Sequence, residues 1–318
     1  MKKVLIFLIF LLFTSIILAS ESSNIYSFTI RNELHKELFS SDSKYFYFRN
    51  GNFVEMWDTK ELKCLRKFPI DTKNKWEIVS IDIYNNKSYL MIAEKTSIKL
   101  WDISTGALIK SIKGREISTA AFDFHGNILY SVETKDEFAI NFWDIQSDKV
   151  QYQTDSSYLI TSMKVCDANT YLFYNDTHLS IYDYHSKKFI WNNKINPFQD
   201  DYIHYAVCEK DGKSVLAGSS KLLQINKKNG KTTRKHSDTY IYSISQNQKY
   251  IAVVDEVNQI LELHFMKTNQ ILQKMHYEGR ISSVIFSQDE KNVLIGIDGT
   301  HNGNKGQIEE YSFKLWRL

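Results

Sequence analysis

A short apolar segment closed by Trp-Asp, Ser97-Ile98-Lys99-Leu100-Trp101-Asp102, recurs along the chain and limits what it can fold into. With Trp101 as reference, its equivalents fall at Trp57, Trp143, Tyr182, Ile225, His264 and Trp316. The intervals run from about 39 to 44 residues, with a last one of about 52 residues, a period typical of four-stranded repeat units. The flanks repeat too. A strand such as Ile281 to Ser287 comes first, then a turn and second strand such as Asp289 to Ile295. After the Trp-Asp comes a turn and an outer strand, as in Thr105 to Ile112. One such unit cannot bury its own apolar face, so the seven must stack on one another around a ring. The expected fold is therefore all-β: a seven-bladed β-propeller of four-stranded antiparallel blades.

The ends of the chain say how the ring closes. Asn24 to Ile30 reads as a strand with no unit of its own upstream, and the last unit stops at Phe313-Lys314-Leu315-Trp316-Arg317-Leu318 with no room for an outer strand. The first strand is expected to supply that outer edge, which removes a free sheet edge. No Gly/Ser-rich linker or charge run divides the chain, and 43% apolar residues suffice for one large core. Residues 24–318 are therefore read as a single domain. Residues 1–20 stand apart: Lys2 and Lys3, an apolar run from Val4 to Ala19, then Ser20. This describes a secretory signal peptide, cleaved between about Ala19 and Ser23, with an uncleaved anchor as the alternative. No Cys follows the run, so a lipoprotein anchor is excluded. After cleavage no membrane-spanning segment is expected.

Three sites keep a literal Trp-Asp, at Trp57-Asp58, Trp101-Asp102 and Trp143-Asp144, while Tyr182-Asp183, Ile225-Asn226, His264-Phe265 and Trp316-Arg317 diverge. On these residues the chain resembles the WD40 family of β-propellers. The family's Gly-His ahead of the first strand is replaced by Gly114-Arg115 and Gly279-Arg280. The hydrogen-bonded set that joins that His to an Asp, a Ser or Thr and the Trp therefore cannot be assembled in the family's way. The resemblance implies binding of a protein partner on the face where the channel opens. With an exported chain the compartment would be the periplasm. Propeller accessory proteins of this style accompany some respiratory reductases, periplasmic nitrate reductase among them, so a scaffold or assembly accessory is the function expected.

Loss of Lys2 and Lys3 leaves 38 basic against 37 acidic residues, which gives no electrostatic case for nucleic acid. No serine nucleophile elbow, Gly-rich phosphate loop, Cys-x-x-Cys or His-Glu-x-x-His is present. The chain is accordingly read as a monomer and not an enzyme. The rival is a lactonase- or hydrolase-like enzyme, or a small-ligand binder, built around the central channel. Inward carboxylates holding a metal there would favour that rival.

Large aromatics and two arginines precede the innermost strands: Trp76, Arg115, Tyr158, Tyr202, Tyr240, Tyr277 and Arg280. They are the candidate partner contacts, since Trp, Tyr and Arg dominate protein interfaces. Their registers differ by several residues, so some must face inward. One loop, Asp298 to Glu309, follows a Ca²⁺-loop pattern, with Asp298, Thr300, Asn302, Asn304 and Glu309 as candidate ligands. Thr300 and Lys305 depart from that pattern, and a long polar hairpin is the plainer reading; no other cofactor is expected. Cys64 aligns with Leu108 and is expected to fill an apolar slot. Cys166 and Cys208 end innermost strands of adjacent units, but a one-residue offset turns a side chain to the other face, so two free thiols are favoured over a disulfide.

Overall fold

A computed structural model describes residues 25–30, 37–71, 78–84, 88–133, 135, 138–195, 202–203, 205–218, 222–236, 241–298 and 311–318. Its strands form seven sheets, each of four antiparallel strands. Blade 1 runs from Leu38–Phe39 at its inner edge through Tyr45–Asn50 and Phe53–Asp58 to Cys64–Pro69. Blades 2 to 6 repeat this order, their inner strands being Ile78–Tyr84, Ile117–Phe122, Ser162–Val165, Tyr205–Cys208 and Ile241–Ile244. Blade 7 takes Arg280–Phe286, Asn292–Asp298 and Tyr311–Arg317 from the C-terminal end and Ile25–Ile30 from the N-terminal end. That last pairing runs from Ile25 opposite Trp316 to Ile30 opposite Tyr311. Arg317 reinforces it, donating to the Tyr26 hydroxyl at 3.0 Å and to the carbonyls of Thr59 and Lys60 in blade 1 at 3.1 Å.

The packing closes the ring. Seven buried clusters each join two neighbouring blades, and the one uniting Phe46 and Phe48 of blade 1 with Leu294, Phe313 and Leu315 of blade 7 completes the circle. The reference residues belong to this packing. Trp101 sits among blade 1 residues and Trp143 among those of blade 2. The slot lies in the third strand of every blade, opposite the second strand, as in Leu90 with Trp101 and Val215 with Ile225. Apolar bulk between blades is what the slot demands, so Tyr182 and Ile225 serve in it while fully buried.

His264 fills the same slot by imitation. Trp57 Nε1 donates to Glu55 Oε2 at 2.8 Å, and Lys67 bonds the other carboxylate oxygen at 2.7 Å. In blade 6, His264 Nε2 meets Glu262 Oε2 at 2.8 Å and Lys274 takes the other oxygen at 2.6 Å. Trp101 Nε1 shows the opposite outcome: it is buried with no hydrogen-bond partner among the described residues, as expected once the family's bonded set is gone.

The residue after the slot explains the Asp. Asp58 Oδ1 accepts the backbone N–H groups of Lys60 and Glu61, Asp144 Oδ1 that of Ser147, and Asp183 Oδ1 that of Ser186. Each carboxylate closes the turn to the outer strand, and Asn226 does so for Lys228. In blades 1 to 6 the outer strand carries one extra residue beside this turn. A bulge reverses the side-chain alternation, which places Leu65, Ile109, Ile190 and Leu272 outward on the rim. Cys64 does pair where Leu108 pairs. The slot is half-open, however, with Leu108 exposed, so Cys64 does not fill a closed apolar pocket.

The disulfide expectation is corrected. Cys166 and Cys208 are bonded, their Cα atoms 5.3 Å apart. The offset is real: Cys208 stands in the ladder opposite Val215, whereas Val165, not Cys166, holds the matching place opposite Tyr171. Cys166 lies one residue beyond the last ladder pair, where strand alternation no longer fixes its direction. Beside it Asp167 accepts bonds from Lys227 at 2.6 Å and from Thr170 at 2.6 Å, a second tie between blades 4 and 5. Burial would raise this carboxyl, but the Lys227, Thr170 and Asn169 bonds outweigh it and hold it down to about 2. Its folded value is depressed, so its stabilisation is complete above the ordinary value of 3.8 and is lost as pH falls through about 2. With the side chain nearly half exposed, that is worth about 1 kcal/mol. Urea unfolding should show wild type ahead of Asp167→Asn by that amount at pH 5, the gap shrinking by pH 3. A gap independent of pH would contradict the assignment.

Candidate interaction face and axial channel

Antiparallel order puts the junctions between blades at the same end of the ring as the turns joining second and third strands. Backbone bonds fasten the two sets together: Gly114 N–H to Thr96 O at 2.9 Å, Ile203 N–H to Asp176 O at 2.7 Å, and Tyr277 N–H to Gln259 O at 3.1 Å. Gly279 is needed in the last junction, since its φ is +100° and a Cβ there would stand 2.2 Å from the Asp298 carbonyl oxygen. These three junctions are thus fastened to the neighbouring turns of the sheets.

This end displays part of the expected set. Arg115 and Arg280 are exposed, and Tyr202 is 46% exposed. Phe53, at the start of the third strand of blade 1, and Val257, in the second-to-third turn of blade 6, which sequence reasoning missed, stand exposed at the same end. A cleft of about 630 Å³ opens here, lined by Asp71, Thr96, Ser97, Ser111, Lys113, Gly114 and Arg115. Asp71 in its wall is paired with Lys99 at 2.7 Å.

Two of the expected contacts are corrected. Tyr158 is 4% exposed; its hydroxyl donates to Phe173 O at 3.0 Å and pairs with Ser180 Oγ at 2.7 Å, and its ring stacks on His178. Tyr277 is buried in the cluster between blades 6 and 7. In both junctions the ring turns down between blades, where it removes more apolar area from water than at the rim. Trp76 and Tyr240 lie outside the described residues. So do Thr300, Asn302, Asn304 and Glu309 of the calcium loop, while Asp298 ends the second strand of blade 7. Among the described residues no group of three or more His, Cys, Asp or Glu is placed to hold a metal ion. No helix among them is long and apolar enough to cross a membrane.

The inner strands enclose an axial cavity of about 660 Å³. Its wall takes Asp82 from blade 2, Lys164 from blade 4, Tyr205 from blade 5, Tyr242 from blade 6 and Ser282 and Ser283 from blade 7. Ser40, Ser41, Gln246 and Gln288 extend the lining to hairpin turns at the end opposite the junctions. Asp82 is a structural group: its Oδ1 accepts from the N–H of Ile83 and its Oδ2 from that of Phe122 in blade 3, both at 2.8 Å. Burial raises its carboxyl above the ordinary range against those bonds and the nearby Lys164.

Comparison with solved structures agrees with this architecture. The β-propeller domain of Cps50 (Swd1) from Myceliophteria thermophila superposes with a TM-score of 0.69, covering 92% of this chain and 100% of that one, at 14% identity. The fold is that of a WD40-like β-propeller. Significant structural similarity extends to 1412 solved chains, so it establishes the fold and carries no function with it. No family model matches the chain, and no curated protein is detectably similar in sequence.

Proposed function

We propose that the protein is an exported scaffold that docks a partner protein on the junction end of the ring. The observation that carries this reading is that Arg115, Tyr202 and Arg280, from three separate junctions, all stand exposed at one end of the ring, where Arg115 also lines a cleft. Rigid aromatic and arginine side chains on a preorganised frame give large contact area at low conformational cost. The Cys166–Cys208 bond supports an oxidising compartment, in keeping with the basic, apolar N-terminal segment. An accessory role for a periplasmic reductase, the client class suggested by the WD40 resemblance, suits such a platform. Of the two carboxylates that line the channel, Glu37 and Asp82, the latter is committed to backbone bonds, and among the described residues no group of three or more His, Cys, Asp or Glu is placed to hold a metal ion, so the scaffold reading takes precedence over a hydrolase.

Crosslinking in the native compartment followed by affinity capture tests the proposal and identifies the client. A protein captured by wild type should be lost from the Arg115→Glu, Arg280→Glu double variant, whose exposed sites leave the fold untouched. Equal capture by both would overturn the assignment of the face.

A further inference from the structure

The axial cavity has a chemical character that a packing role does not explain. Lys164 is the central observation. It lines the cavity, and its side chain is exposed to the solvent of the channel. Its ammonium makes no hydrogen bond or ion pair with the described residues. An ammonium carries three donors and no acceptor, so this one is open to the oxygens of a ligand in the channel. Asp82 and Lys164 sense each other across the cavity without forming an ion pair, because the two Asp82 oxygens are directed to backbone N–H groups.

Further donors share the wall. Tyr205 lies close enough to Lys164 for the two to interact electrostatically, and its hydroxyl makes no hydrogen bond to the described residues. The hydroxyls of Ser282 and Ser283 are buried without a hydrogen-bond partner among the described residues. Desolvation alone would lower the Lys164 ammonium, but Tyr174, Tyr205 and Asp82 more than offset it, so the group is charged at neutral pH. The rest of the wall is partly apolar, with Val207 and Ile285 among its residues. A volume of about 660 Å³ is ample for an organic molecule and far larger than an inorganic ion needs.

We propose that the axial cavity binds a small organic monocarboxylate, with its carboxylate on the Lys164 ammonium and the Tyr205 hydroxyl and its body along the apolar wall. The single positive charge, opposed by the carboxyl groups of Asp82 and Glu37 in the same wall, selects one negative charge over two, so a phosphate dianion is disfavoured. This site is separate from the junction end and does not depend on the partner proposed there.

Calorimetric titration of the full chain with acetate, lactate and 4-hydroxybenzoate tests it. At least one should bind saturably, roughly tenfold more weakly to Lys164→Met and within about threefold for Lys164→Arg, which keeps the charge. The neutral 4-hydroxybenzamide should bind roughly tenfold more weakly than its acid. No saturable binding of any of the three acids, equal binding to Lys164→Met, or inorganic phosphate binding more tightly than every acid would each overturn the proposal. Melting curves without ligand separate loss of the site from loss of the fold. Should Lys164→Met fail to fold, the acid and amide pair decides on the wild type, and equal affinities there count against it.

Discussion

Removing residues 25–30 should cost the ring about 5 kcal/mol, seen as a melting temperature roughly 10 °C lower and a strong tendency to aggregate. Six ladder pairs with Tyr311–Arg317 disappear together with the bond from Arg317 to Tyr26 and the stacking of its guanidinium 4.4 Å over that ring. Phe313 and Leu315, now fully buried, would then lie in an edge strand with unpaired backbone groups facing water. Removal of residues 1–20 is the control and should leave melting unchanged. Light scattering alongside calorimetry separates association from simple unfolding. Equal melting temperatures for the two truncations would mean that the N-terminal strand does not hold the ring shut.

Breaking the Cys166–Cys208 bond is expected to lower stability by about 3–4 kcal/mol, the loop-closure value for a crosslink of this span. The two cysteines are 42 residues apart and join consecutive blades at the inner edge, where the strands Ser162–Val165 and Tyr205–Cys208 are among the shortest in the ring. Much of what holds these two inner strands together is therefore the covalent bond and the neighbouring Asp167–Lys227 pair. Reducing agent should lower the melting temperature of the wild type and leave a Cys166→Ala, Cys208→Ala variant unmoved. A wild type indifferent to reductant, with titratable thiols before it is added, would show the pair to be unbonded.

The repeat was legible in the sequence because it records packing that every blade must repeat. The slot between neighbouring blades has the same register seven times, so even Ile225 and His264 could be placed without a tryptophan. Ring closure was legible for a related reason: a strand was missing at one end of the chain and spare at the other. The junctions were harder. Alternation gives a facing only inside a ladder, and Tyr158, Tyr202 and Tyr277 stand in connections of different lengths. Whether each ring points out or in therefore depended on backbone paths that no pattern announces. Cys166 was misjudged on the same ground, one residue past the end of its ladder. Lys164 and Asp82 left no linear signature at all, because the channel draws its wall from blades far apart in sequence.

The central claim is that exposed residues at the junction end bind a partner while their buried neighbours hold the blades together. Its most direct test measures melting temperature and partner retention on the same two variants, Tyr202→Ala and Tyr158→Ala. Tyr202 is exposed, so its loss should weaken the partner by about 2 kcal/mol, roughly thirtyfold, with melting nearly unchanged. Tyr158 is buried and bonded to Phe173 and Ser180, so its loss should cost roughly 3 kcal/mol of stability with no specific binding defect. Full partner retention by Tyr202→Ala, in a protein that melts like wild type, would contradict the account.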